Sequence, residues 1–492
     1  MRKAHAELVE RGFMVKLEDL DRTSRHVIHN AEFLHYYPWR IVAKEDSVST
    51  PIRLVVDPSM TGRNVLLAKG ENRLGNLGGI LIRNRTKPYA WSSDISKMYN
   101  QLKLNQSALP YSLFLFHPSL DPDTPPEKYA MTCAWYGVCP SGNQAGYAIE
   151  KVVEDAGQTF DMARDSLTSD RYVDDIFSGS MTDQGRQEQI ESCRELLASA
   201  GFSLKFVAQS GLPPCEKASA NGTTMKVLGY AWNTVKDTLS PGFSELNFNK
   251  RTRGARKPNE TPIVTTEDAK QLLKHVQLTR KMCASKVAEL FDPVGLFEPV
   301  KVQLKLNLST LNHLGWDQQL SVKDQAIWKD LLVKFIDIPS LTVSRSVVPS
   351  GAIDPNSARL VCVCDAAAAA GGAALYIGYK LRDGTYSNQL LTSKSKLMSA
   401  TIPRNELCAI LLMSELAYVA VKALNGLVKE IVYLTDSTVA MSWCHNKHKK
   451  LKLYVKSRVE SARLMMEWTD LVTDEIPLHH IEGEMNVADL LT

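Results

Sequence analysis

The stretch Arg171-Tyr172-Val173-Asp174-Asp175-Ile176-Phe177-Ser178-Gly179 sets two adjacent carboxylates between two apolar runs. Unpaired acids are almost never fully buried, so this pattern predicts the tip of a hairpin whose flanks pack inward. Side chains alternate between faces along a strand, and neighbouring acids on a straight strand could not serve one site; at a turn both can approach it. Taken alone, a polar hairpin turn explains the pair equally well, because aspartate is common there.

A third acid tips the balance. Divalent-metal chemistry on phosphates needs carboxylates from separate elements, since hard cations take oxygen ligands and two ions about 3.5–4 Å apart need several carboxyl groups around them. Asp94 lies in Trp91-Ser92-Ser93-Asp94-Ile95-Ser96-Lys97-Met98-Tyr99-Asn100-Gln101-Leu102, which reads as a strand ending at the acid and running into a helical turn. These two stretches are similar to motifs A and C of retroelement reverse transcriptases, whose signature is Tyr-x-Asp-Asp. The resemblance implies that Asp94, Asp174 and Asp175 hold two Mg²⁺ ions, with Mn²⁺ as a substitute, and that Tyr172 contacts substrate beside them.

At 492 residues the chain has room for two to four domains, and 44% hydrophobic with 23% charged residues is ordinary globular composition. The net charge of +4 is mild, so a nucleic-acid footprint must come from local clusters. Nine scattered cysteines without metal spacing read as reduced thiols. The most apolar run, residues 407–424, is broken by Ser414, Glu415 and Lys422, which predicts a core helix and no membrane span. With no signal-peptide pattern at the N-terminus, the expected location is intracellular: cytoplasmic, within a virus-like particle, or nuclear.

Other motifs extend the resemblance. Pro51-Ile52-Arg53-Leu54-Val55-Val56-Asp57 resembles the strand whose arginine contacts the incoming triphosphate, which implies that role for Arg53 and extends it to Lys44. Tyr99, five residues after Asp94, falls where the family places an aromatic ring that excludes a 2′-hydroxyl. Tyr136-Gly137-Val138-Cys139-Pro140-Ser141-Gly142 resembles motif B, implying nucleotide or template contacts for Gly137 and Ser141. The family usually has glutamine before this glycine and proline after this serine, whereas this chain has Tyr136 and Gly142. Residues 183–200 predict an amphipathic helix, followed by Gly201-Phe202-Ser203-Leu204-Lys205, where the resemblance makes Lys205 a proton donor to pyrophosphate. Val227-Leu228-Gly229-Tyr230-Ala231-Trp232 resembles a hairpin that grips the primer.

Residues 250–257 pack five cations into eight positions, a composition suited to a phosphate backbone as well as to a solvated face. Residues 266–335 read as helices joined by Phe291-Asp292-Pro293-Val294-Gly295-Leu296-Phe297-Glu298-Pro299-Val300. That segment, with Gly315-Trp316-Asp317, closely resembles the thumb and connection of Pao/BEL-type retrotransposon polyproteins. Prolines and serines after residue 338 predict a linker, placed at 346–358.

The last segment opens with Arg359-Leu360-Val361-Cys362-Val363-Cys364-Asp365, a buried strand ending in an acid. Strands around 373–381 and 388–393 follow, then a helix opened by Pro403-Arg404-Asn405-Glu406, a strand ending at Asp436, and Asn486-Val487-Ala488-Asp489. Asp365, Glu406, Asp436 and Asp489 resemble the four metal ligands of ribonuclease H. Each acid taken alone also suits a strand end or a helix start. Lys447, Lys449, Lys450 and Lys452 suit a hybrid's backbone or a solvated helix start. The resemblance departs in two ways: only three residues follow Asp489 to form the helix that would fix it, and no histidine stands just before it.

The expected architecture is therefore an α+β multidomain chain. A right-hand polymerase has fingers and palm over 1–235 and thumb and connection over 236–345; an α/β ribonuclease H-like domain over 359–492 follows, both ends lying inside domains. The implied activity is RNA-directed DNA synthesis for transposition, with removal of the RNA strand. Implied partners are RNA or DNA template-primer, deoxynucleoside triphosphates, RNA/DNA hybrid and other Pol polyprotein segments. Two alternatives belong to other classes: a catalytically inactive or domesticated nucleic-acid-binding relic, and an aspartic peptidase, against which stands the lack of Asp-Thr-Gly or Asp-Ser-Gly.

Overall fold

A computed structural model describes residues 2–43, 52–117, 123–215, 223–242, 265–446, 450–471 and 476–492. Lys44, the 250–257 cations, Lys447 and Lys449 lie outside the described residues. The first half carries β1 (Met14–Lys16), β2 (Trp39–Ala43), β3 (Ile52–Val56), β4 (Tyr89–Ile95), β5 (Leu113–Phe116), β6 (Glu127–Met131), β7 (Arg171–Tyr172), β8 (Asp175–Ser180) and β9 (Leu204–Gln209). β2 and β3 form an antiparallel ladder, and β1, β6 and β5 form a small sheet. The sheet that matters for the site has the order β7-β8-β4-β9, all antiparallel.

Both faces of that sheet are covered, which follows from the period-2 alternation of its residues. Trp91 of β4 and Ile176 of β8 point to one side, into a core built with the helices Ser141–Asp155, Asp161–Leu167 and Asp183–Ser199. Ala90 and Phe177, one position away on the same strands, point to the other side. There they meet the helix Leu77–Arg85 in a core that continues into the C-terminal half. This double burial is why the quoted stretch reads as apolar on both sides of its acids.

Next come β10 (Thr224–Val227), β11 (Tyr230–Asn233), β12 (Thr238–Pro241) and β13 (Val343–Ser344), paired in that order. The expected hairpin at 227–232 is the β10–β11 pair. Helices Thr266–His275, Arg280–Glu289, Glu298–Ser309 and Val322–Lys334 pack around Leu273, Cys283, Trp328 and Leu332.

The C-terminal sheet contains β14 (Ala358–Ala366), β15 (Ala370–Lys380), β16 (Tyr386–Leu397), β17 (Val428–Thr435) and β18 (Leu478–His480) in the order β16-β15-β14-β17-β18. The first three strands are an antiparallel meander; β17 and β18 run parallel to β14. Crossing over from β16 to β17 is the helix Ile402–Leu424, with proline in its first turn. Leu407, Ile410, Met413, Ala417 and Val421 recur at helical spacing and are buried. The helix is long and apolar enough to cross a membrane, yet it is packed as a core helix against β14 and β15. Residues 346–358, expected to be a linker, are anchored: Val347 is buried and its amide donates to the Arg85 carbonyl at 2.9 Å.

Candidate active site

The strand pairing brings the first three acids together. Asp94 on β4 stands directly opposite Asp175 on β8, and Asp174 occupies the two-residue turn between β7 and β8. The Ile95 amide donates to the Asp174 carbonyl at 2.8 Å, tying the turn to the end of β4. Val173, the other turn residue, has φ +58°. A β-branched residue in the left-handed region is strained, and such strain persists only where the surroundings over-determine it. Arg171 supplies that determination: its buried guanidinium donates from Nη1 to the Val173 carbonyl and from Nε to the Leu167 carbonyl, both at 2.8 Å. Asp170 is buried beside it, accepting from Arg83 Nε at 2.7 Å and Ser178 Oγ at 2.8 Å. Sequence reading missed these supports, although Arg171 stands in the quoted stretch itself.

The electrostatics are those of acids crowded away from water. Burial, the hydrogen bond with Asp94 and the charges of Asp94 and Asp174 push Asp175 up to about 8. Asp174 is raised by burial and by the charge of Asp94. Burial opposes ionisation of Asp94 too, but the bond to Asp175 and the ammonium of Lys205 outweigh it and hold Asp94 below the usual carboxylate range. Lys205, the second residue of β9, pairs directly with Asp94. The Arg53 charge on β3 acts on Asp94 and Asp174.

Around the acids the other expected residues converge. The Tyr99 ring, raised in pKa by burial and by Asp174, meets the Tyr136 ring edge-on at 4.6 Å between centroids. Tyr136 is itself pushed up to about 12 by burial and the nearby Asp174 charge. Gly137 has φ +102°, and a Cβ there would overlap the Val56 carbonyl oxygen. Only glycine lets this loop lie against the strand that carries Arg53. Asn64, another residue missed from sequence, clamps the loop by donating to the Gly137 carbonyl and accepting from the Cys139 amide, both at 2.9 Å. Ser141 is buried as the first residue of its helix. Tyr172 pairs with Asp175 in the ladder and packs on the shared core.

A second cluster lies at the ends of the parallel strands. Cys364 pairs with Thr435, so Asp365 and Asp436, one residue further, sit at adjacent strand ends. Glu406, in the second turn of the Ile402–Leu424 helix, accepts a hydrogen bond from the Ser437 hydroxyl. Burial raises Asp365, and the charges of Asp436 and Asp489 add to it. Glu406 is raised by burial together with Asp436 and Asp365, against the Ser437 bond. Asp489 is fixed without a long helix. It lies in the short 3₁₀ turn Val487–Leu491, where Asn486 donates to the Cys364 carbonyl at 3.1 Å and accepts from the Ala488 amide at 3.2 Å, and Leu491 is buried against Gly372. His479 and His480 are exposed on β18.

Among the described residues no three His, Cys, Asp or Glu side chains converge closely enough to hold a metal ion as they stand. In the first cluster Lys205 and the shared Asp94–Asp175 bond meet the negative charge instead. The donor sets nevertheless fit a hard divalent cation, being all carboxylate oxygen, and burial and neighbouring acids oppose ionisation of Asp174, Asp175 and Asp365, which such a cation relieves.

A mixed α/β chain with this order of sheets is structurally similar to retroviral reverse transcriptase. Three solved structures of a foamy viral protease-reverse transcriptase align with it. One, a form designated dRH in complex with double-stranded DNA, has TM-score 0.56 and 13% identity over 97% of this chain and 68% of that one. The complex with RNA/DNA hybrid gives 0.54 and 14% over 97% and 52%, and another complex with double-stranded DNA gives 0.53 and 14% over 98% and 82%. The chain thus spans about half the length of the second. Residues 279–437 match the family model described as Pao retrotransposon-like RNaseH-like domain. This stretch, which includes the motif at 291–300, is similar to that family. No curated protein matches the chain.

Proposed function

We propose that the chain is an RNA-directed DNA polymerase with a ribonuclease H-like domain. The fingers are the β1–β3 and β5–β6 region, the palm is the β7-β8-β4-β9 sheet, and the thumb is the helical segment after β12. The observation that carries the reading is the ladder pairing of Asp94 with Asp175, with Asp174 at the adjoining turn. In the reaction the primer 3′-oxygen loses its proton and forms a bond to the α-phosphorus of a deoxynucleotide. The bond to the pyrophosphate oxygen breaks in line.

Asp94, Asp174 and Asp175 would hold Mg²⁺, or Mn²⁺ in its place, which supplies charge neutralisation and acidifies the 3′-hydroxyl. The chain's own residues do the rest. Arg53 and, outside the described residues, Lys44 bind the triphosphate. Tyr99 beside Tyr136 walls off the 2′ position, and Gly137 and Ser141 line the nucleotide. Lys205, which pairs with Asp94, gives a proton to departing pyrophosphate in this reading. Asp365, Glu406, Asp436 and Asp489 would hold the ions for hydrolysis of the RNA strand. Partners are template-primer, deoxynucleoside triphosphates, RNA/DNA hybrid and the rest of the Pol polyprotein, within an intracellular particle. Primer extension on an RNA template tests this: synthesis by the unmodified chain, lost in Asp174→Asn with Asp175→Asn, supports it. Salt-sensitive template-primer binding without synthesis by either chain would leave the inactive relic as the reading.

A further inference from the structure

The segment 291–298, conspicuous in sequence and unused by either acid cluster, touches two parts of the molecule at once, the β10–β11 hairpin and β16. The Phe291 ring lies on Gly229 at the β10–β11 turn. Asp292 is buried; its carboxylate accepts from the Tyr230 hydroxyl of β11 and from the Leu296 and Phe297 amides at 2.9 and 2.8 Å. The Val294 carbonyl accepts from the Ser393 amide at 3.0 Å and from Thr392 Oγ1 at 2.8 Å. Gly295, at φ +67°, presses so closely on β16 that a Cβ would overlap the Ser393 carbonyl, and its own carbonyl accepts from the Ser393 hydroxyl. Glu298, buried and paired with Lys305, accepts from the Ser395 amide at 3.1 Å and its hydroxyl at 2.6 Å.

A second grip comes from the other direction. Buried Arg85, at the end of the helix that leads into β4, donates from Nη1 to the carbonyls of Leu390 and Leu391, both at 2.7 Å. Behind it Arg345, 0% exposed, forks onto both oxygens of Asp237 at 2.7 Å and donates to the carbonyls of Asn84, Lys87 and Pro88 at 2.7–2.9 Å. From 390 to 395, then, the edge strand of the C-terminal sheet is held by the first half of the chain and by the 291–298 loop. A free sheet edge would be a liability, and covering it removes one. The chemistry here exceeds that need: the two halves already share an apolar core, which is non-directional, and the buried, bonded polar network adds one specific geometry.

We propose that residues 291–298, with Arg85 and Arg345, form a rigid positioning joint. It holds the Asp365 cluster at one distance from the Asp94 cluster, so that both act on a single bound duplex in fixed register. The duplex is the nucleic acid of the proposed function, on which this part of the inference rests; the rigidity itself does not depend on it.

The test uses the full chain with spin labels on genetically encoded residues at two exposed positions, Glu195 and Ser457. Distances are measured by pulsed electron resonance, and cut sites in the RNA strand are mapped relative to the primer 3′ end. The unmodified chain gives one narrow distance and one tight group of cuts. Thr392→Val with Ser393→Ala, which removes both hydroxyl bonds to the loop, widens the distance distribution by about two-fold or more and spreads the cuts, with extension rate unchanged. Gly295→Ala does the same more strongly; should it fail to fold, the hydroxyl pair alone decides. A broad distribution in the unmodified chain, or variants as narrow as it, overturns the proposal. A chain that neither extends nor cuts defeats the proposed function, while the distance measurement still decides the joint.

Discussion

The two acid clusters solve the same problem in different ways. In the first, three half-buried carboxylates are drawn from a turn and two facing strands, and Lys205 pairs with Asp94, which is also bonded to Asp175. In the second, four carboxylates come from two parallel strand ends, a helix and a terminal 3₁₀ turn, and the side chains bonded to Glu406 and to the backbone beside Asp489 are Ser437 and Asn486. The difference teaches that acid order along the chain is not what makes a site. The first cluster depends on backbone strain held by Arg171, and the second on ordinary strand ends; the first should be more sensitive to pH and the second to its caps.

The sharpest way to break the comparison is to remove one cluster at a time. Asp436→Asn is expected to cut RNA-strand cleavage by on the order of 10³-fold while leaving extension intact, read from both labelled strands of a hybrid. Loss of both would mean the clusters do not work separately. Next in size, Arg345→Met strands Asp237 without its buried partner and is expected to cost about 3–5 kcal/mol in denaturant unfolding. A cost near zero would deny that the joint is tightly satisfied.

Asp175 then sharpens the contrast in pH. Because burial raises it to about 8, the folded, metal-free chain keeps a proton that the unfolded chain has lost, so this contribution to stability is present at low pH and fades as pH rises through about 8. Mg²⁺ bound as proposed would have to displace that proton. Its stabilisation, read as a rise in Tm, should therefore be smaller at about pH 6.5 than at about pH 8.5, with the dependence weakened in Asp175→Asn. Equal shifts at both pH values would refute the assignment. Smallest is Asn486→Ala, which removes a cap and a buried bond and should cost about 1 kcal/mol, with cleavage reduced more than extension.

Much of this was legible in the sequence for a physical reason. Strand-end acids are marked locally: Asp365 and Asp436 each follow a largely apolar run, Asp94 follows Tyr89-Ala90-Trp91 and two serines, and the structure places each at a strand end. The helix at Glu406 announced itself by its proline and its apolar spacing. What was not legible is non-local. Nothing near Arg85 or Arg345 foretells that they meet, since the bonds from Arg85 to the Arg345 and Leu391 carbonyls span 260 and 306 positions of sequence. The left-handed Val173 was equally hidden, because local propensity argues against a β-branched residue there and only the Arg171 bonds reverse it. The expectation that Asp489 lacks support came from counting helix residues; the anchor is one asparagine side chain reaching β14.

The most direct measurement is a single reaction on an RNA template with a labelled primer and labelled RNA, in Mg²⁺ and deoxynucleotides. It compares the unmodified chain, Asp174→Asn with Asp175→Asn, and Asp436→Asn. The account predicts a crossed result: both products from the first, RNA cuts without extension from the second, extension without cuts from the third. Extension that survives loss of Asp174 and Asp175 would contradict it.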